Sequence, residues 1–130
     1  MKKIAATILF AVLLYSNYTF SQSAEINLIG KWIDKELNVE YNFSSDTEAL
    51  FSQMGYGMPV SYKIDFSKSP FWIDFTLQRG KMKLPGLLRI INKDTIWIEQ
   101  FPPFKKHPTE FSKDFKSKSR KIHVLVRVKS

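Results

Sequence analysis

The chain has no cysteine, which excludes a disulfide framework, a zinc–thiolate centre, a thiol nucleophile and a lipobox-type lipid anchor. Histidine is nearly absent as well, with only His107 and His123. Glycine numbers five, and none of these residues forms a glycine-rich phosphate loop. No apolar run reaches the ~20 residues needed to cross ~30 Å of hydrocarbon. No segment carries a helical stripe, and neither an internal repeat nor a domain linker interrupts the chain. At 130 residues the length fits one domain, and 44% apolar with 25% charged residues is a globular composition.

What is present begins with an address. Met1-Lys2-Lys3 is positive, residues 4–15 are uncharged and mostly aliphatic, and Ser21-Gln22-Ser23 supplies small residues at a cleavage site. That order describes a secretory signal peptide over residues 1–23. Cleavage after Gln22 or Ser23 leaves residues 24–130 as a single domain, secreted or periplasmic and without a transmembrane segment. Asn17-Tyr18-Thr19 has the glycosylation pattern but leaves with the signal.

The formal charge of +8 then redistributes. Lys2 and Lys3 are removed. Residues 24–104 carry 9 basic and 10 acidic side chains, whereas residues 105–130 carry 9 basic against Glu110 and Asp114. The basicity is a local +7 in an exported chain, which argues against nucleic acid and for an anionic surface, glycan or protein. The contact set on that reading is Lys113, Lys116, Lys118, Arg120 and Lys121. The competing reading is a solvated, solubilising loop.

Between its ends the chain has period two. Val39, Tyr41 and Phe43 alternate with polar residues, as do Val60, Tyr62, Ile64 and Phe66, then Phe71, Ile73, Phe75 and Leu77. Ile96 and Ile98 oppose Trp97 and Glu99, and Ile122, Val124, Val126 and Val128 oppose His123, Leu125 and Arg127. Gly30–Ile33, a segment within residues 47–53 and another over residues 87–91 complete about eight strands. Gly55-Tyr56-Gly57 reads as a break, and residues 109–121 as the best place for a short turn or helix. Short connections favour antiparallel neighbours. The expected fold is all-β, an antiparallel up-and-down meander closing into a small barrel.

An eight-stranded barrel either fills itself or holds one small ligand. Trp32, Tyr41, Phe43, Phe51, Tyr62, Phe66, Phe75 and Trp97 spread over most strands, and they are the candidate lining of an apolar or amphipathic ligand site. Their alternative role is a packed core. Asp65 and Asp74 flank the 67–70 turn and suggest either a carboxylate pair or turn capping. His107 lies close to Glu110, but a metal centre needs three or four ligands, so no metal is expected. Nothing resembles a nucleophile elbow or a triad. A non-enzymatic, cofactor-free monomer is the expectation.

Gly30-Lys31-Trp32 looks like the Gly-x-Trp opening of lipocalin-type barrels. It is followed by Asp65-Phe66-Ser67-Lys68-Ser69-Pro70-Phe71-Trp72-Ile73-Asp74, by Asp94-Thr95 and by Pro108-Thr109-Glu110-Phe111. Together, over roughly residues 28–114, these resemble a group of small exported lipocalin-like bacterial proteins. His107 stands where that pattern has Arg, and the lysine-rich segment and last strand extend beyond it. The resemblance implies a calyx, perceptive to a small apolar ligand, and no catalytic residues. It gives structural roles to Gly30, Trp32, Asp65, Pro70, Asp74 and Arg127, with Arg127 packed over Trp32. Secretion from a bacterial host should yield a mature chain beginning at Ser23 or Ala24, read by intact mass; retention of residues 1–22 would overturn the signal assignment.

Overall fold

The computed structural model describes residues 26–77, 80–103, 106–113 and 120–129. Nine antiparallel strands follow one another: β1 (Gly30–Asp34), β2 (Val39–Phe43), β3 (Glu48–Gln53), β4 (Tyr56–Asp65), β5 (Phe71–Leu77), β6 (Met82–Leu84), β7 (Gly86–Asn92), β8 (Thr95–Gln100) and β9 (Ile122–Arg127). Eight of them close into a barrel in the order β1-β2-β3-β4-β5-β7-β8-β9, and β6 is an additional strand on β5. The all-β meander is therefore the observed architecture. Among the described residues there is no α-helix, and none long and apolar enough to cross a membrane.

The additional strand has a simple origin. β6 and β7 pair with β5 in one continuous register, Phe75↔Leu84 before the interruption and Trp72↔Leu87 after it. Pro85 lacks the N–H that a ladder needs, and the strand bends there. Beyond the bend it takes up β8 as its second neighbour. Gly86 sits at the closest approach: a Cβ there would lie 2.5 Å from the Ile73 carbonyl and 3.0 Å from that of Glu99. Three residues without alternation leave no period to read, so β6 has no sequence signature.

Two further departures are informative. β4 starts at Tyr56, because Met54 (φ 53°) and Gly55 (φ 87°) alone make the two-residue turn and Gly57 remains in the strand. In β9 the inward face is His123 and Leu125, paired with Ile98 and Ile96, while Val126 and Val128 are exposed. The aliphatic set in this strand does not mark the core face. Pairing with β8 fixes the register, and a one-residue slip would turn every side chain over.

Inside the barrel Trp32, Tyr41, Phe43, Phe75, Ile73, Leu88, Ile96, Ile98 and Leu125 are essentially inaccessible. Each contributes roughly 2–3 kcal/mol by burial. Tyr41 meets Phe43, Phe51 and Phe75 at centroid separations of 5.9, 4.9 and 5.8 Å, and Phe43 meets Tyr62 at 5.0 Å. The rings fill the interior against one another. Gly86→Ala should therefore cost about 1–3 kcal/mol, because its methyl group meets backbone oxygens rather than yielding side chains. Urea denaturation would measure this, and an unchanged midpoint would contradict the close approach.

Candidate functional site

The barrel has two unlike ends. The base carries residues 26–29 and the turns at 44–47, 66–70 and 93–94; the rim carries the turns at 35–38 and 54–55 and the β8–β9 connection. At the base, Gly30 has φ +122°, a conformation that side chains rarely adopt, and the Arg127 guanidinium lies beside it. Arg127 donates to the Ile29, Asn27 and Lys93 carbonyls and stacks 4.3 Å above the Trp32 ring centroid. Trp32 Nε1 donates to the Leu28 carbonyl at 2.9 Å. The expected Arg127–Trp32 packing is thus present, and it seals the base.

At the rim a polar group enters the aromatic interior. Gln100 Nε2 donates to the Tyr41 hydroxyl at 2.8 Å, and that hydroxyl lies 2.8 Å from His123 Nδ1. The Tyr41 O–H, already accepting from Gln100, donates to Nδ1, which leaves the imidazole proton on Nε2. His123 also stacks on Phe51 at 6.2 Å and tilts against Tyr41 at 5.7 Å. Burial pushes the Tyr41 phenol far up. Burial likewise pushes the His123 imidazole down to about 4, with Asp34 opposing and Arg120 adding to the effect.

The β3–β4 hairpin forms one wall beside this group. Phe51 pairs with Met58 and Gln53 with Tyr56, so Met58 and Tyr56 share the barrel-facing side of the hairpin with Phe51. They are uncovered, Tyr56 being 84% exposed and Met58 41%, and Met54 at the tip is 68% exposed. Sequence reasoning missed Tyr56, Met58, Gln100 and His123. The alternation around β4 held the signal for Met58, but the supposed break at Tyr56 concealed it.

Of the eight candidate lining residues, Tyr41 and Phe51 reach this rim group, with Phe75 beneath Tyr41. Trp32, Phe43 and Tyr62 lie in the interior or toward the base, and the Tyr62 hydroxyl donates to the Ser45 carbonyl. Two must be corrected. Phe66 is 47% exposed in the β4–β5 turn, where it packs edge-on against Phe71. Trp97 points outward, because its strand neighbours Ile96 and Ile98 occupy the interior.

The basic set also needs correction. Arg120 is 8% exposed and forks onto Asp34, at 2.8 Å to Oδ2 and 3.1 Å to Oδ1, with Glu36 at 3.3 Å and a further bond to the Ile122 carbonyl. Burial raises the Asp34 carboxyl, but bonds from Arg120, Leu37 and Val124 outweigh it and hold the group below its ordinary value. An arginine so engaged belongs to the fold rather than to an anionic partner. Lys113 and Lys121 are exposed, whereas Lys116 and Lys118 lie outside the described residues, as do residues 1–23. The possible helix at 109–121 is irregular over 109–113, and its middle also lies outside them.

Asp65 and Asp74 do not face each other: Asp65 pairs with Trp72 and Asp74 with Lys63. Asp65 caps the turn through Ser67, the backbone N–H at 2.9 Å and the hydroxyl at 2.6 Å. Asp74 meets His107 Nε2 at 2.7 Å, while the His107 ring stacks on Trp72 at 3.6 Å. Residues 106–113 thereby form a strap across the outer face, fastened again by Ser112 on the buried Glu99. Pro70 closes the β4–β5 turn through a cis bond. Among the described residues no group of three or more His, Cys, Asp or Glu is placed to hold a metal.

Compared with family models, curated proteins and solved structures, the chain matches none. The His123 geometry makes a pH dependence. The folded ring stays neutral where the unfolded chain, with an ordinary value near 6.5, already binds a proton. Stability should be full above about pH 6.5 and fall by roughly 3 kcal/mol as pH drops toward 4. Urea melts across that window should show the loss, and His123→Gln should remove it; an identical slope in the variant would assign the effect elsewhere.

Proposed function

We propose that the protein is an exported, non-enzymatic, lipocalin-like barrel that binds a small amphipathic molecule at its rim. The observation that carries this reading is the Tyr41–Gln100–His123 group set among rings, beside the uncovered Met54, Tyr56 and Met58. Small-molecule sites combine an apolar wall with a few converging polar groups that fix orientation. Here the apolar portion of a ligand lies along the hairpin, and its polar end meets the half-buried Gln100 and His123, which the inaccessible Tyr41 hydroxyl holds in place. The filled interior favours the mouth over a deep calyx, because the inward rings already touch one another.

Docking on an anionic partner through the basic segment is the less favoured reading, since Arg120 is occupied by Asp34 and Glu36. Lys113 and Lys121 remain available to it.

Native mass spectrometry of the exported protein should reveal a co-purifying small molecule. The fluorescent probe N-phenyl-1-naphthylamine should bind with Kd of about 1–100 μM. Met58→Arg, at an exposed position, should weaken that binding at least about tenfold without lowering the melting temperature. Absence of both the co-purifying molecule and probe binding would overturn the proposal, as would an unaffected Met58→Arg variant.

A further inference from the structure

A pocket lies outside the barrel, where the strap crosses β7 and β8. Arg89, Trp97, Thr109, Glu110, Phe111 and Lys113 line about 470 Å³ of it, within the range of roughly 300–1,000 Å³ usual for small-molecule sites. Arg89 and Trp97 are direct cross-strand partners. The Arg89 guanidinium carbon lies 5.5 Å from the Trp97 ring centroid and 5.4 Å from that of Phe111. The two rings meet edge to face at 5.8 Å and 83°. Both rings attract the cation, and among the described residues none of its N–H groups is engaged by a carboxylate or carbonyl oxygen, so its fork is open to an acceptor.

No carboxylate takes that fork: among the described residues Arg89 makes no ion pair, and neither does Glu110 beside it in the same pocket. Lys113 adds a second cation. We propose that this pocket binds a carboxylate-bearing saccharide, a uronate. The planar carboxylate matches the Arg89 fork bidentately, with Lys113 contributing charge. The C–H face of a pyranose packs against the strap side of the pocket at Phe111, and Glu110 and Thr109 serve its hydroxyls. A neutral sugar leaves the fork unused, and an inorganic oxyanion leaves the apolar lining unused. This site is separate from the rim and does not depend on it.

Isothermal titration calorimetry on the full chain with trigalacturonate, galactotriose and inorganic phosphate tests the assignment. Trigalacturonate should bind with Kd below about 1 mM, and galactotriose at least about tenfold more weakly. Arg89→Gln should lose at least about tenfold for trigalacturonate while melting like the parent, since Arg89 is exposed. Arg89→Lys, which keeps the charge but not the fork, should also bind more weakly, and it decides the matter if Arg89→Gln melts early. No trigalacturonate binding, undiminished binding by these variants, or phosphate binding as tightly as trigalacturonate would each overturn the proposal.

Discussion

The barrel depends on the seam between its first and last strands. β1 and β9 meet through Trp32↔Arg127 and Ile33↔Val126, and side chains reinforce both ends of this short ladder. At the base, Arg127 bridges three backbone carbonyls and covers Trp32. Toward the rim, Asp34 accepts from the Val124 N–H at 2.9 Å and so continues the ladder where backbone pairing stops. Arg120 then neutralises Asp34. Burying two charges is costly unless they are paired and fully hydrogen-bonded, and this pair is. Without the seam the sheet would be left with two open edges and an aromatic face in water.

The same closure explains why chemistry gathers at the rim. At the base the polar groups are already taken up by the backbone: Trp32 Nε1 by the Leu28 carbonyl, the Tyr62 hydroxyl by that of Ser45 and Arg127 by three others. At the opposite end β8 and β9 finish on Gln100 and begin near His123, and the two converge on the Tyr41 hydroxyl. The β3–β4 hairpin carries its apolar side past the filled interior. The outer face is organised differently: the strap pins His107 to Asp74 and Ser112 to Glu99, which sets Phe111 against Trp97.

Much of this was legible in residue order. The alternation in β2, β5 and β8 identified their inward faces, and the 67–70 turn lies between the strands it was expected to join. Three core candidates, Tyr41, Phe51 and Phe75, do come together beneath the rim. The outer layer was not read: Trp97 stood among the lining candidates, and the residues that strap this face, His107 and Ser112, carry no strand period that would place them there. Arg120 could not be read correctly, because a cation in a lysine-rich stretch looks the same whether solvated or paired with a carboxylate 86 positions away.

The sequence by itself determined the strand period, the antiparallel meander and the aromatic character of the core, because these follow from spacing along one chain. The tertiary structure alone decided which face of β9 turns inward, which cation is buried, and that Gln100, His123 and Tyr41 meet. Each of these depends on register between strands distant in sequence. Side-chain patterning within a strand offers two faces, and only the neighbour it pairs with selects one.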